Sequence, residues 1–164
     1  MKPPTMKQVA MMVNGRPVTD LVQPRLSLAD FLRERLQLTG THLGCENGVC
    51  GACTALVDSV PIRSCLVFAV SLSGCEVRTI EGFDDDEVMC ALRTAFSQDH
   101  ALQCGFCTPG MLITARDLVL RLPGAGEREI RQELSGNLCR CTGYMGIVAA
   151  IQHLLRERKA KRGV

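Results

Sequence analysis

The chain has 164 residues, 46% of them apolar, and a formal net charge of +2, enough for one domain or two small ones with a real core. No Trp, a single Tyr and no aromatic–basic interleaving argue against a base-stacking nucleic-acid surface. No apolar run approaches the ~18 residues that a membrane span needs.

At the N-terminus, "MKPPTMKQVAMMVNG" offers only the apolar run "VAMMV", too short for a leader, and no twin arginine follows. The expected compartment is therefore the cytoplasm. "KQVAMMV" and "RPVTDLV" read as strands joined by the hairpin signal "NGRP". "SLADFLRERL" reads as a helix, with Ser27 and Asp30 as a capping box and Leu28, Phe31, Leu32 and Leu36 as its apolar stripe. A cysteine-rich loop follows. "CTALV" and "VPIRSC" then pair as a hairpin across Asp58–Ser59, where Asp-Gly would suit a two-residue turn better. "CEVRTI" alternates as a further strand.

The charged break "EGFDDDE" separates this part from a helical one. Val88, Met89, Leu92, Ala95 and Phe96 recur at helical spacing, as do Met111, Leu112, Ala115, Leu118, Val119 and Leu122. A shorter helix holds Ile130 and Leu134. A last one, Tyr144 to Glu157, carries Ile147, Val148, Ile151, Leu154 and Leu155. Short loops between them suit a bundle. Ile113 and Leu120 fall off the main stripe of their helix, which points to contact with a larger partner. "CTPGM" at 107–111 echoes "CTGYM" at 141–145, each opening a helix, with Thr108 or Thr142 as the expected N-cap. Helix–Cys loop–helix, twice, would gather four cysteines and two positive helix ends at one end of a bundle, which favours an anionic centre.

The chain has ten cysteines, and a reducing compartment disfavours structural disulfides. Clustered thiols then point to metal or redox chemistry. Cys45, Cys50 and Cys53, with gaps of four and two residues, and Cys65 after a gap of eleven more match plant-type 2Fe–2S spacing. Three thiolates would come from one loop, where Gly44, Gly48 and Gly51 let backbone N–H groups approach sulfur. The hairpin would deliver Cys65. A second set is Cys104 and Cys107, two residues apart, with Cys139 and Cys141 flanking one residue. Zinc or a redox dithiol are its other readings, but a Cys-x-Cys partner is awkward for zinc and a thioredoxin-like pair would follow a strand. Cys75, alternating with Val77, reads as a buried small hydrophobe, and Cys90 lies opposite its helix's stripe. His42 reads as a solvated loop histidine within reach of the first loop. Gln103, next to Cys104, reads from spacing as a helix cap or a solvent-facing side chain.

Three motifs, "GCENGVCGAC", "QCGFCTPGM" and "GNLCRCTGY", together resemble the small iron–sulfur subunit of the molybdenum hydroxylases, the xanthine dehydrogenase and aldehyde oxidoreductase superfamily. The resemblance runs along nearly the whole chain. It implies an α+β chain: an N-terminal β-grasp 2Fe–2S ferredoxin-like domain over residues 1–82, then an all-α four-helix 2Fe–2S-binding domain over 83–164. It implies two 2Fe–2S clusters, on Cys45, Cys50, Cys53 and Cys65 and on Cys104, Cys107, Cys139 and Cys141. It further implies molybdopterin on a large partner subunit and FAD on a medium one, in a heterotrimer or a dimer of heterotrimers, with no nucleic acid and no membrane. Gln103 and Cys141 stand where the family hydrogen-bonds the pterin. The expected function is electron transfer from the molybdopterin centre to the flavin, with no catalysis by this chain alone. The alternative is a free-standing ferredoxin or redox sensor. N-heteroaromatic, aldehyde and carbon monoxide substrates all stay open.

Overall fold

The computed structural model describes residues 5–161 and 163. The first four residues of the stretch considered as a leader lie outside them. Strands β1 (Lys7–Val13) and β2 (Arg16–Val22) form an antiparallel hairpin in which Val13 pairs Arg16. Alternation in β1 buries Val9, Met11 and Val13, as a half-buried strand requires. Helix α1 (Leu28–Asp30) runs into a wide π turn at Phe31–Arg35. The Ser27 hydroxyl accepts from the Asp30 N–H at 3.0 Å. The Asp30 carboxylate accepts from that hydroxyl instead of reaching back to the Ser27 backbone, so the box is only half formed.

Strands β3 (Thr54–Val57), β4 (Val60–Arg63) and β5 (Glu76–Arg78) complete a five-stranded mixed sheet of order β2-β1-β5-β3-β4. The β1–β5 pair is parallel and the other pairs are antiparallel. At the β3–β4 turn Asp58 and Ser59 both adopt positive φ, +47° and +67°. That is the backbone of a primed turn held by two residues that carry a Cβ, the local misfit expected from the sequence.

The helical part comprises α2 (Glu87–Gln98), α3 (Thr108–Arg121), α4 (Glu127–Glu133) and α5 (Met145–Lys161). Together sheet and helices make the chain α+β. Two apolar cores result. One lies under the sheet, around Val9, Phe31, Leu32, Ala55 and Val77. The other lies among the helices, around Met89, Phe96, Met111, Leu118 and Ile151. Strand β3 serves both, because Ala55 points into the first core and Leu56 into the second.

Four sequence expectations are corrected here. Ile113 is buried in the helical core rather than held for a partner, whereas Leu120 is exposed. The stretch "EGFDDDE" is no mere spacer. Phe83 is fully buried, with the guanidinium of Arg78 4.2 Å and that of Arg116 5.1 Å from its ring centre. Asp86 caps α2 through the Met89 N–H and pairs with Arg116 at 2.6 Å. Neither threonine is an N-cap. Cys107 occupies the cap position of α3, and Thr142 lies upstream of α5, whose Val148 N–H bonds the Tyr144 carbonyl. Finally, Cys75 is half-buried at the margin of the first core.

Candidate functional site

The fold turns ten scattered cysteines into two groups and two leftovers. The first group sits on the loop between α1 and β3 and just past β4. Around Cys45 the backbone bends through positive φ at Glu46 and Gly48, so successive N–H groups face one sulfur. The Cys50 N–H reaches Cys45 Sγ at 3.3 Å. That bond, followed by the Asn47 N–H, draws the Cys45 thiol down to about 7. A Cβ at Gly44 would stand 3.2 Å from Cys50 Sγ, so glycine there keeps the space beside the sulfur open. The β3–β4 hairpin returns Cys65 to the group. Burial first, then the neighbouring Cys53 thiol, pushes Cys65 up to about 11, and Cys45 adds to the effect. Cys45, Cys53 and Cys65 therefore share one electrostatic neighbourhood.

The second group joins the α2–α3 loop to the loop before α5. Cys104 and Cys141 lie 3.5 Å apart, sulfur to sulfur. The Phe106 N–H, then the Cys141 thiol, lowers Cys104. Burial, then Cys139, pushes Cys107 up to about 12. Burial also works against ionised Cys139, but the Thr142 hydroxyl, donating at 3.1 Å, and nearby backbone groups hold it below its ordinary value. Tyr144 braces this loop: its hydroxyl accepts from the Cys139 N–H at 2.8 Å and donates to the Asn137 carbonyl at 3.1 Å. Thr108, next to Cys107, has a buried hydroxyl oxygen with no partner among the described residues. Its free donor suits an acceptor bound at that end of α3.

A sulfur-rich anionic centre fits both groups. Each offers four thiols, backbone or hydroxyl donors aimed at sulfur, and small residues where close approach matters. Among the described residues no three His, Cys, Asp or Glu side chains converge on a single ion position. Cys90 is exposed on α2, with its thiol 3.5 Å from the Asp84 carbonyl, and Cys75 belongs to neither group. Gln103 is exposed beside Cys104.

Sequence reasoning missed the residues that tie the two groups together. His42 is not a free loop histidine: its Nδ1 lies 2.7 Å from the Phe106 carbonyl and its ring stacks on Phe106, 4.8 Å between centroids. The Leu138 N–H bonds the Cys50 carbonyl at 2.8 Å. Asn137 stands inside "GNLCRCTGY", two residues before a ligand candidate, but nothing local says that it is buried or what it contacts.

Two family models match the chain: a 2Fe-2S iron-sulfur cluster binding domain over residues 11–93 and a [2Fe-2S] binding domain over residues 79–152. The chain is 50% identical over 147 residues to caffeine dehydrogenase subunit gamma of Pseudomonas sp. (strain CBB1), covering 88% of each protein. It is 50% identical over 139 residues to the nicotine 6-hydroxylase small subunit of Paenarthrobacter nicotinovorans, covering 85% of this chain and 84% of that one. Among solved structures it is similar to a chain of quinoline 2-oxidoreductase from Pseudomonas putida 86. The TM-score is 0.88 at 49% identity, over 96% of this chain and 98% of that one.

Proposed function

Because the chain belongs to the 2Fe–2S small subunits of the molybdenum hydroxylase family, the electron-transfer subunits of oxidoreductase complexes, we propose which of its residues carry that role. Cys45, Cys50, Cys53 and Cys65 hold one 2Fe–2S cluster, and Cys104, Cys107, Cys139 and Cys141 hold the other. The observation that carries this reading is the grouping of eight thiols into two sets of four with Cys75 and Cys90 left out. When bound, such clusters supply one-electron transfer and no bond-making step. The chain's own part is to place the eight sulfurs, to donate hydrogen bonds to sulfur from backbone and from Thr142, and to fix the distance between the sets.

In this reading residues 1–82 form a β-grasp ferredoxin-like domain, which the parallel pair at the centre of the mixed sheet supports. Residues 83–164 form a four-helix domain built from α2, α3, α4 and α5. Gln103 and Cys141, both exposed beside the second set, face the molybdopterin of a large partner subunit. The first set faces the FAD of a medium subunit, in a heterotrimer or a dimer of heterotrimers in the cytoplasm. Among the described residues no helix is long and apolar enough to cross a membrane. The complex acts on an N-heteroaromatic compound. Support comes from the relatives near 50% identity, which are named for caffeine and nicotine, and from the similar structure, named for quinoline. A free-standing ferredoxin is not favoured, since these relatives are named as subunits.

The test is purification of the chain with its native partners. The protein should be coloured, with about four irons and matching acid-labile sulfide per chain and two distinct EPR signals on reduction. A single zinc, or one signal at full occupancy, would sink the reading. Within the complex, Gln103→Ala should keep both clusters but slow their reduction by an N-heteroaromatic substrate, while dithionite reduction stays normal. An unchanged substrate-driven rate would return Gln103 to an ordinary surface role.

A further inference from the structure

The two cysteine sets meet through backbone packed without side chains between. A Cβ on Gly110, three residues after Cys107, would stand 2.3 Å from the Gly51 carbonyl oxygen, between Cys50 and Cys53. A Cβ on Gly51 would stand 2.3 Å from the Gly136 carbonyl oxygen. Such contact fixes how close the two halves come but not their register, because glycine surfaces can slide. Directional bonds must set the register.

Asn137 supplies them. Its side chain is 1% exposed, and all four hydrogen-bonding positions of its amide are used. Nδ2 donates to the Gly51 carbonyl at 3.1 Å and to Thr54 Oγ1 at 3.3 Å. Oδ1 accepts from Thr114 Oγ1 at 3.0 Å and from Arg63 Nη2 at 3.3 Å. Arg63 can only donate and a carbonyl can only accept, so the orientation of the amide is fixed by its partners. Those partners sit on the first cysteine loop, on β3, on β4 and on α3. Arg63 clamps the same corner, donating to Thr54 Oγ1 at 2.8 Å and to the Gly136 carbonyl at 2.5 Å. One residue beyond Asn137, the Leu138 N–H bonds the Cys50 carbonyl at 2.8 Å. Cys50 belongs to the first set, and Leu138 precedes Cys139 of the second. That peptide contact is a direct bonded link between the two sets, and it holds only in one register.

We propose that Asn137 is the positioning residue that sets the two cysteine groups in register, keeping the Leu138 N–H on the Cys50 carbonyl and so fixing the coupling between the two centres. The proposal rests on the two-cluster reading above. Aspartate would keep the shape but turn an oxygen toward the Gly51 carbonyl in place of a donor. Glutamine would need an extra methylene in a filled site. Thr114→Val removes one of the four bonds from a position on α3, outside both cysteine loops.

The test uses the full chain with its native iron, comparing wild type, Asn137→Asp and Thr114→Val. Readouts are iron and sulfide content, mass-resolved hydrogen exchange of peptides covering Leu138, and the magnetic interaction between the two reduced centres in EPR. Asn137→Asp should keep the iron of both sets, exchange the Leu138 amide about tenfold faster and weaken the magnetic interaction. Thr114→Val should shift both readouts the same way by about two- to threefold. Unchanged exchange and unchanged interaction in Asn137→Asp would overturn the proposal. So would loss of iron from one set alone, which would make Asn137 a support of that set only. If Asn137→Asp does not fold, Thr114→Val decides by the same criteria. If the wild type holds no iron, the two-cluster reading fails, while Leu138 exchange still tests the register on its own.

Discussion

The two cysteine sets solve one chemical problem in opposite ways. The first draws three thiols from nine consecutive residues, and its sulfurs are served by N–H groups of the same loop. The second spans from Cys104 to Cys141, and its sulfurs depend on where α2, α3 and α5 place two separate loops. Side chains there add to the backbone donors: Thr142 donates to Cys139, and Tyr144 holds the turn. The contrast teaches that a loop can encode one centre locally, while a centre at helix ends depends on the packing of a whole bundle.

The contrast is sharpest if each set can be lost alone. Cys107→Ser should remove the second centre and spare the first, and Cys50→Ser should do the reverse, each cutting iron by about half. Cys90→Ser should leave both intact. Iron quantification with EPR of each variant checks this, and joint loss in either ligand variant would break the comparison.

Core damage should separate the sets next. Met111 is fully buried one turn after Cys107, and its N–H bonds the Cys107 carbonyl at 2.9 Å. Met111→Ala should destabilise the helical half by about 2–5 kcal/mol. In a urea titration followed by visible absorbance, the second centre should bleach earlier than in wild type and ahead of the first. Simultaneous bleaching would mean that both halves unfold as one unit.

A smaller effect is expected from Tyr144→Phe, which leaves the Cys139 N–H without its hydroxyl partner. A cost of about 1–3 kcal/mol follows from stranding that donor. The EPR signal of the second centre should shift while that of the first stays put. A change in both signals would show that the brace serves the junction rather than one set.

The smallest effect concerns the hairpin that delivers Cys65. Ser59→Gly removes a Cβ at φ +67° and should stabilise the first half by about 0.5–1 kcal/mol, the relief of left-handed strain being partly offset by chain entropy. Denaturation followed at the first centre checks it. A gain seen only at the second centre would contradict the local character assigned to the first.

Much of the architecture was legible in the chain itself. Alternation marked β1, β2 and the β3–β4 hairpin, and the strain at Asp58–Ser59 followed from the absence of glycine there. Helical spacing marked α2, α3, α4 and α5. Cysteine spacing pointed to two sets of four thiols, with Cys75 and Cys90 outside both. The failures share a cause. Phe83 sat in a run of acids, yet its ring is covered by Arg78 and by Arg116, the second of them far from it in sequence. Ile113 lay off its helix's stripe because α3 packs on more than one side, against the sheet as well as the other helices. Thr108 and Thr142 looked like caps because capping was inferred from residue type, whereas the geometry of each loop puts another residue in that position.

The sequence by itself determined the strands and the helices, because periodicity and turn chemistry are properties of neighbouring residues, and its cysteine spacing pointed to two thiol sets. Only the tertiary structure decided how those sets face each other. The Gly51–Gly110 and Gly51–Gly136 approaches, the four bonds of Asn137, the Arg63 clamp and the Leu138–Cys50 link join residues that are distant in the chain. Hydrogen bonds and steric contact act over a few ångströms of space, and no local pattern records which distant partners will fall within that range.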